Sequence, residues 1–125
     1  MIIPRGGKGL IETVVSLARM PVIKIFSPTP VTPDQAEAVA VELEALCLTL
    51  LRAHPTAIQI AFVPAVMPRG AALLLEMHYR AQPYRDTDAL TGFMDGAERS
   101  VLTHLGAAPR IRCFAVDAAG LSARH

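Results

Sequence analysis

The chain has 125 residues, the usual size of one domain, and carries 12 lysines and arginines against 11 acids for a formal net charge of +1. With no basic face or charge run, nucleic acid is excluded as an expected partner, and no apolar stretch approaches the roughly 20 residues of a membrane helix. Hydrophobic residues reach 52% while charged residues stop at 18%, more apolar surface than one small core hides, so a subunit interface is expected.

Residues 1–20 read as a leader. Met1–Gly9 is rich in glycine and proline, and Leu10, Val14 and Leu17 share one face of a short helix over Leu10–Arg19. Arg5 and Lys8 before an apolar stretch have the outline of a signal peptide. Glu12 interrupts that stretch, and the chain is read as cytoplasmic.

Pro21–Ser27 is the first predicted strand, with Val22 and Phe26 alternating against Ile23 and Ile25. Pro28, Pro30 and Pro33 forbid further pairing. Thr32-Pro33-Asp34-Gln35 is a helix start: Thr32 caps, Pro33 suits the first helical position, and Gln35 completes a capping box. That helix is expected to reach about Ala53, with Ala36, Val39, Ala40, Leu43, Leu46, Cys47 and Leu50 facing the core, until His54-Pro55 ends it. Ala57–Val63 is the second strand, Pro64–Gly70 a loop, and Ala72–Arg80 the third strand. After a turn over Gln82–Asp86, a second helix begins near Thr87 or Asp88 and stops at Gly106. Arg110–Val116 is the fourth strand, and the tail beyond Asp117 is either a short edge strand or loose.

Strand–helix–strand thus occurs twice, at about 21–66 and 71–119, with an offset of roughly 53 residues. Two such β-α-β units predict an α+β domain over 21–125. Each unit pairs its strands in parallel within a four-stranded mixed sheet, with both helices on one face. The other face is expected to carry apolar residues with no helix to cover them, so it has to find a partner. Cys47 falls in a helical pattern and Cys113 in a strand pattern. The four histidines lie at no ligand spacing. No disulfide framework, metal site or cofactor is expected.

Met20-Pro21-Val22-Ile23-Lys24-Ile25-Phe26 resembles the start of tautomerase-superfamily proteins, which open on Met, then Pro, then a strand. Ala57–Val63 resembles that family's second strand. Ala108-Pro109-Arg110-Ile111-Arg112-Cys113-Phe114 resembles the last long strand of the macrophage migration inhibitory factor group and of 5-carboxymethyl-2-hydroxymuconate isomerase. The resemblance covers residues 21 to about 119. It implies a homotrimer whose sheets line a barrel. It also implies an isomerase or tautomerase of a small, carboxylate-bearing, enolisable keto acid. The catalytic group would be the free secondary amine of an amino-terminal Pro21, acting as general base. Such an amine works only unprotonated, and an apolar pocket and nearby cations both favour that form.

The resemblance also suggests where substrate would be held. Gln59 stands where the 4-oxalocrotonate tautomerase group carries a substrate-binding arginine, so a hydrogen-bonding group remains and a charge is lost. The family's other early arginine falls near Val31 and Thr32 and is absent. Arg52 and His54 lie close to a pocket lysine of the inhibitory-factor group. Either would bind a carboxylate, or simply complement a helix C-terminus. Arg80 ends the third strand on the face of His78 and Glu76. Arg112 lies where relatives place a pocket side chain from a neighbouring subunit. Each of these arginines would bind substrate or pair with Glu76 or Asp117. Phe62 would line the pocket or pack in the core. While Met20 precedes it, Pro21 has an amide nitrogen and no basic lone pair. The competing expectation is therefore a catalytically inactive trimeric binding or scaffold protein, with Pro21 blocked by residues 1–20. Decarboxylation and dehalogenation on the same scaffold are not distinguished from tautomerisation.

Overall fold

The computed structural model describes residues 20–124. The expected short helix over Leu10–Arg19 lies outside them. In chain order the elements are β1 (Val22–Ser27), α1 (Pro33–Leu50), β2 (Gln59–Pro64), β3 (Leu74–Arg80), α2 (Thr87–Leu105) and β4 (Arg110–Val116). The sheet order is β2-β1-β3-β4. β1 pairs with β2 in parallel, β3 with β4 in parallel, and β1 with β3 antiparallel. Two β-α-β units therefore meet along the middle of a mixed sheet, as the strand spacing predicts.

The helix starts follow from local chemistry. Thr32 Oγ1 accepts from the Gln35 N–H at 3.1 Å while Gln35 Oε1 accepts from the Thr32 N–H at 3.0 Å. The Gln35 amide also donates to the carbonyl of His104 at 3.2 Å, tying the start of α1 to the end of α2. Asp86 caps α2 by accepting from the Ala89 N–H at 3.0 Å. Gly106 ends α2 with φ +83°, its N–H donating to the Leu102 carbonyl. A side chain there meets no neighbour within 4 Å but forces the left-handed region. Gly106→Ala should therefore cost about 1–2 kcal/mol by thermal denaturation, from backbone strain alone.

Three boundaries differ from expectation. α1 stops at Leu50, not near Ala53, because Arg52 has φ +52°. A non-glycine residue held there costs about 1–3 kcal/mol of strain, so the surroundings must fix it. His54-Pro55 does not end the helix. His54 instead caps a 3-10 turn over Pro55–Ala57, which delays β2 from Ala57 to Gln59. β3 begins at Leu74 rather than Ala72, because its ladder with β1 starts only at the Phe26–Leu74 pair. Beyond β4, the tail forms a 3-10 turn over Ala118–Gly120.

Both helices pack on one face. Ile23, Ile25, Leu75 and Met77 from the sheet are fully buried with Val39, Leu43 and Cys47 of α1 and with Phe93, Ala97 and Val101 of α2. Gly96 lets the helices approach: a Cβ there would lie 2.7 Å from Leu46 Cδ2. Phe62 belongs to this layer too, packed against the core and partly buried. On the outer side His104 Nε2 lies 3.2 Å from Glu42 Oε1. The nearby Ser100 hydroxyl, and then the His104 ring, lower the Glu42 carboxyl from its usual range. A lowered carboxyl stabilises the fold above its unfolded value and loses that contribution as pH falls. Glu42→Gln should thus flatten the fall in melting temperature between about pH 5 and 3.

Among the described residues the opposite face carries no helix, and it is less apolar than composition suggests. The pairing sets Ala61, Lys24, Glu76 and Arg112 in one row across all four strands. The next row is Gln59, Val22, His78 and Phe114, with the His78 and Phe114 rings stacked at 4.8 Å.

Candidate active site at the Pro21 end of the sheet

β1 begins directly after Pro21, and the Gln59 N–H donates to the Pro21 carbonyl at 3.1 Å. Val22 pairs with Gln59 on one side and with His78 on the other. Because β3 runs against β1, the end of β3 lies beside the start of β1. β4 runs with β3, so Arg80 pairs with Val116 at that same end. The tail of α1 is fastened there too. Arg85, just past β3, donates from Nε to the Leu51 carbonyl at 2.7 Å and from Nη1 to the Arg80 carbonyl at 2.8 Å. Pro21, Arg52, Gln59 and Arg80 are thus brought to one end of the sheet. Arg112 is not. It sits mid-strand on the open face opposite Glu76, its Nη1 donating to the Ile111 carbonyl.

The charges are mostly unpaired. Among the described residues, the one ion pair within 4.0 Å is Glu42–His104, on the helix side. Glu76 stands across from both Lys24 and Arg112 without closing to that distance. Arg80 Nη1 donates to the Val116 carbonyl at 3.2 Å, while its buried Nε has no partner among the described residues. Arg52 is exposed, its guanidinium 4.9 Å from the centre of the Tyr84 ring. Arg85 lies 5.5 Å from the same ring and is only 9% exposed, and burial lowers its pKa. His54 is spent locally, its Nδ1 accepting from the Thr56 N–H.

Pro21 is joined to Met20 by a cis peptide, and its ring is fully buried. It lines neither of two larger hollows. One of about 360 Å³ lies between the Ser27–Val31 loop and Phe62–Pro64, at the far end of β1. Another of about 340 Å³ lies between α1 and α2, beside Glu42, Arg99 and Ser100.

Other chemistries find little support. Burial pushes the Cys47 thiol up to about 12 and raises that of Cys113, which suppresses the nucleophilic thiolate of both. Among the described residues no group of three or more His, Cys, Asp or Glu gathers as a metal would require, and no helix is long and apolar enough to cross a membrane. Tyr84 and Arg85 were not singled out by the sequence. They sit in the turn after β3, where no periodicity marks a residue as buried, and Pro83 signals only the turn itself.

No protein-family profile matches the chain, and no curated protein matches it in sequence. Solved structures do match in shape. Macrophage migration inhibitory factor of Toxoplasma gondii is 16% identical, with a TM-score of 0.61 over 77% of this chain and 88% of that one. A native fused 4-OT is 8% identical, with a TM-score of 0.68 over 82% and 91%. N1, of the cis-3-chloroacrylic acid dehalogenase family, is 12% identical, with a TM-score of 0.65 over 82% and 79%. A further fused 4-OT, solved as an asymmetric trimer, gives 0.66 at 9% identity over 82% and 91%. These identities speak for architecture, and the architecture agrees with the two-unit mixed sheet read from the pairing. The chain has the fold of the tautomerase superfamily.

Proposed function

We propose that the chain, when it begins at Pro21, is a tautomerase or isomerase of a small enolisable keto acid. The supporting observation is the position of Pro21. It opens β1 in this fold, beside Gln59 and at the same end as Arg52 and Arg80. A freed Pro21 amine takes a proton from the carbon beside the ketone and returns it to oxygen or to another carbon. Arg52 and Arg80 hold the carboxylate and the developing enolate charge, and Gln59 offers a hydrogen bond in place of a charge.

The working unit is a homotrimer of the 21–125 domain. In it the open sheet faces meet, and Arg112 reaches a neighbour's Pro21 end. The trimeric fused 4-OT and the 42% exposure of Phe114 on that face support this arrangement. No cofactor takes part, and two free thiols, Cys47 buried and Cys113 partly buried, suit a cytoplasmic, reducing setting. The test is turnover of phenylpyruvate by protein starting at Pro21. No turnover by folded, trimmed protein sinks the reading.

A second reading is a catalytically inactive trimeric binding protein with residues 1–20 retained. The full burial of the Pro21 ring behind Met20 favours it. Under this reading, deleting residues 1–20 lowers the melting temperature or weakens the trimer. If deletion changes neither, the reading loses its support.

A further inference from the structure

Three unusual features meet just beyond the end of β3. Arg52 is held at φ +52°, where a side chain is disfavoured. Its guanidinium lies over one ring, Tyr84, that a second guanidinium also approaches. That second group, Arg85, is buried without a carboxylate partner among the described residues and donates to two main-chain carbonyls. Burying an unpaired cation is expensive, so two backbone hydrogen bonds are a poor reason by themselves to keep arginine there. The carbonyls it holds are informative. One belongs to Leu51, the residue before Arg52, and the other to Arg80 itself. The two segments lie almost 30 residues apart in sequence, and each carries a cation assigned above to substrate.

We propose that Tyr84 and Arg85 are a positioning clamp that sets Arg52 and Arg80 to receive a carboxylate. The inference rests on the substrate roles given to those two arginines under the proposed function. Arg85 joins the two backbones and touches no substrate. Its flat guanidinium presents divergent N–H groups, which suits two carbonyls from different elements. A lysine ammonium keeps the charge without that fork. Tyr84 fixes the direction of the Arg52 side chain through its ring face. The clamp accounts for the left-handed backbone at Arg52, which is bent into contact with the ring at the cost of ending α1 early.

The experiment uses the full 125-residue chain and needs no turnover, because binding a carboxylate does not require a free Pro21 nitrogen. Benzoate is titrated by calorimetry, with uncharged benzamide as the control for shape. Benzoate should bind and benzamide should not. Arg85→Lys should weaken benzoate binding about tenfold although the net charge is unchanged. Tyr84→Leu should weaken it several-fold, and Tyr84→Phe, which keeps the ring face, should restore it. Arg52→Gly should abolish most of the binding while the melting temperature holds or rises, because glycine adopts this φ without strain. A purely structural Arg85 would lower the melting temperature and leave benzoate affinity alone. If Arg85→Lys does not fold, the two Tyr84 variants decide the matter. Absence of benzoate binding, equal binding of benzamide, or wild-type affinity in the clamp variants overturns the proposal. Benzoate binding that depends on the clamp, together with no turnover by trimmed protein, keeps the clamp and removes the reaction.

Discussion

Protein that begins at Pro21 should convert phenylpyruvate between its keto and enol forms about 10²–10⁴-fold faster than the same protein carrying Pro21→Ala. The full chain should be as slow as that variant. Both expectations rest on one nitrogen. Behind Met20 it is an amide, whose lone pair is shared with the carbonyl. As a chain terminus it is a secondary amine, and an α-amino group ordinarily titrates at about 7.7–8.0. The Pro21 ring is buried, and Arg52, Arg80 and Arg85 gather at the same end of the sheet. Burial and positive neighbours both disfavour the ammonium form. Activity in the trimmed protein should therefore rise with pH and level off with a midpoint below about 7.7. A midpoint above the ordinary range would mean that these cations do not reach the amine. Ultraviolet absorbance of the enol follows the reaction, and an intact mass of the protein from its natural source tells which terminus it uses.

The largest expected effect on stability is at Phe93. It is fully buried on α2 among Leu43, Cys47, Leu75 and Met77 of the same core cluster. Phe93→Ala removes most of a ring and leaves a cavity that helices held at Gly96 cannot easily close, so about 3–5 kcal/mol should be lost. Against a typical total of about 5–15 kcal/mol, that is a large share of the stability. Leu102, on the same helix but 49% exposed, is the control. Leu102→Ala should change stability by no more than about 0.5 kcal/mol. Urea denaturation at one fixed protein concentration measures both, because an assembling subunit gains apparent stability by mass action. A small loss at Phe93 would mean that the two helices do not rest on the sheet as described.

The elements most legible in the sequence were those whose boundary chemistry is local. Thr32-Pro33-Asp34-Gln35 starts α1, Gly106 ends α2, and Arg110–Val116 is a strand over its whole predicted length. The overshoot of α1 to Ala53 had a different origin. Its end is set by a left-handed Arg52, held by Tyr84 and by Arg85 more than 30 residues away, and no local pattern carries that. The site was legible in the same partial way. Pro21, Gln59, Arg52 and Arg80 could be chosen by type and by resemblance, but their sharing one end depends on strand direction. Tyr84 and Arg85 were missed because a turn residue has no period to betray its burial. The open face was expected to be apolar because each strand was read alone, and the charged row emerges only when four strands are set in register.

That row also bears on how the sheet finds its pairing. Lys24, Glu76 and Arg112 lie side by side on the uncovered face, while Ile23, Ile25, Leu75 and Met77 point to the helices. Sliding any one of these strands by a single residue turns its charged side chain under α1 or α2 and its apolar ones outward. Such a slip puts an unpaired charge into the driest part of the molecule, at a cost of several kcal/mol. The three ions are thus a check on alignment while the chain folds, rejecting mispaired sheets whether or not they ever meet a ligand or another subunit.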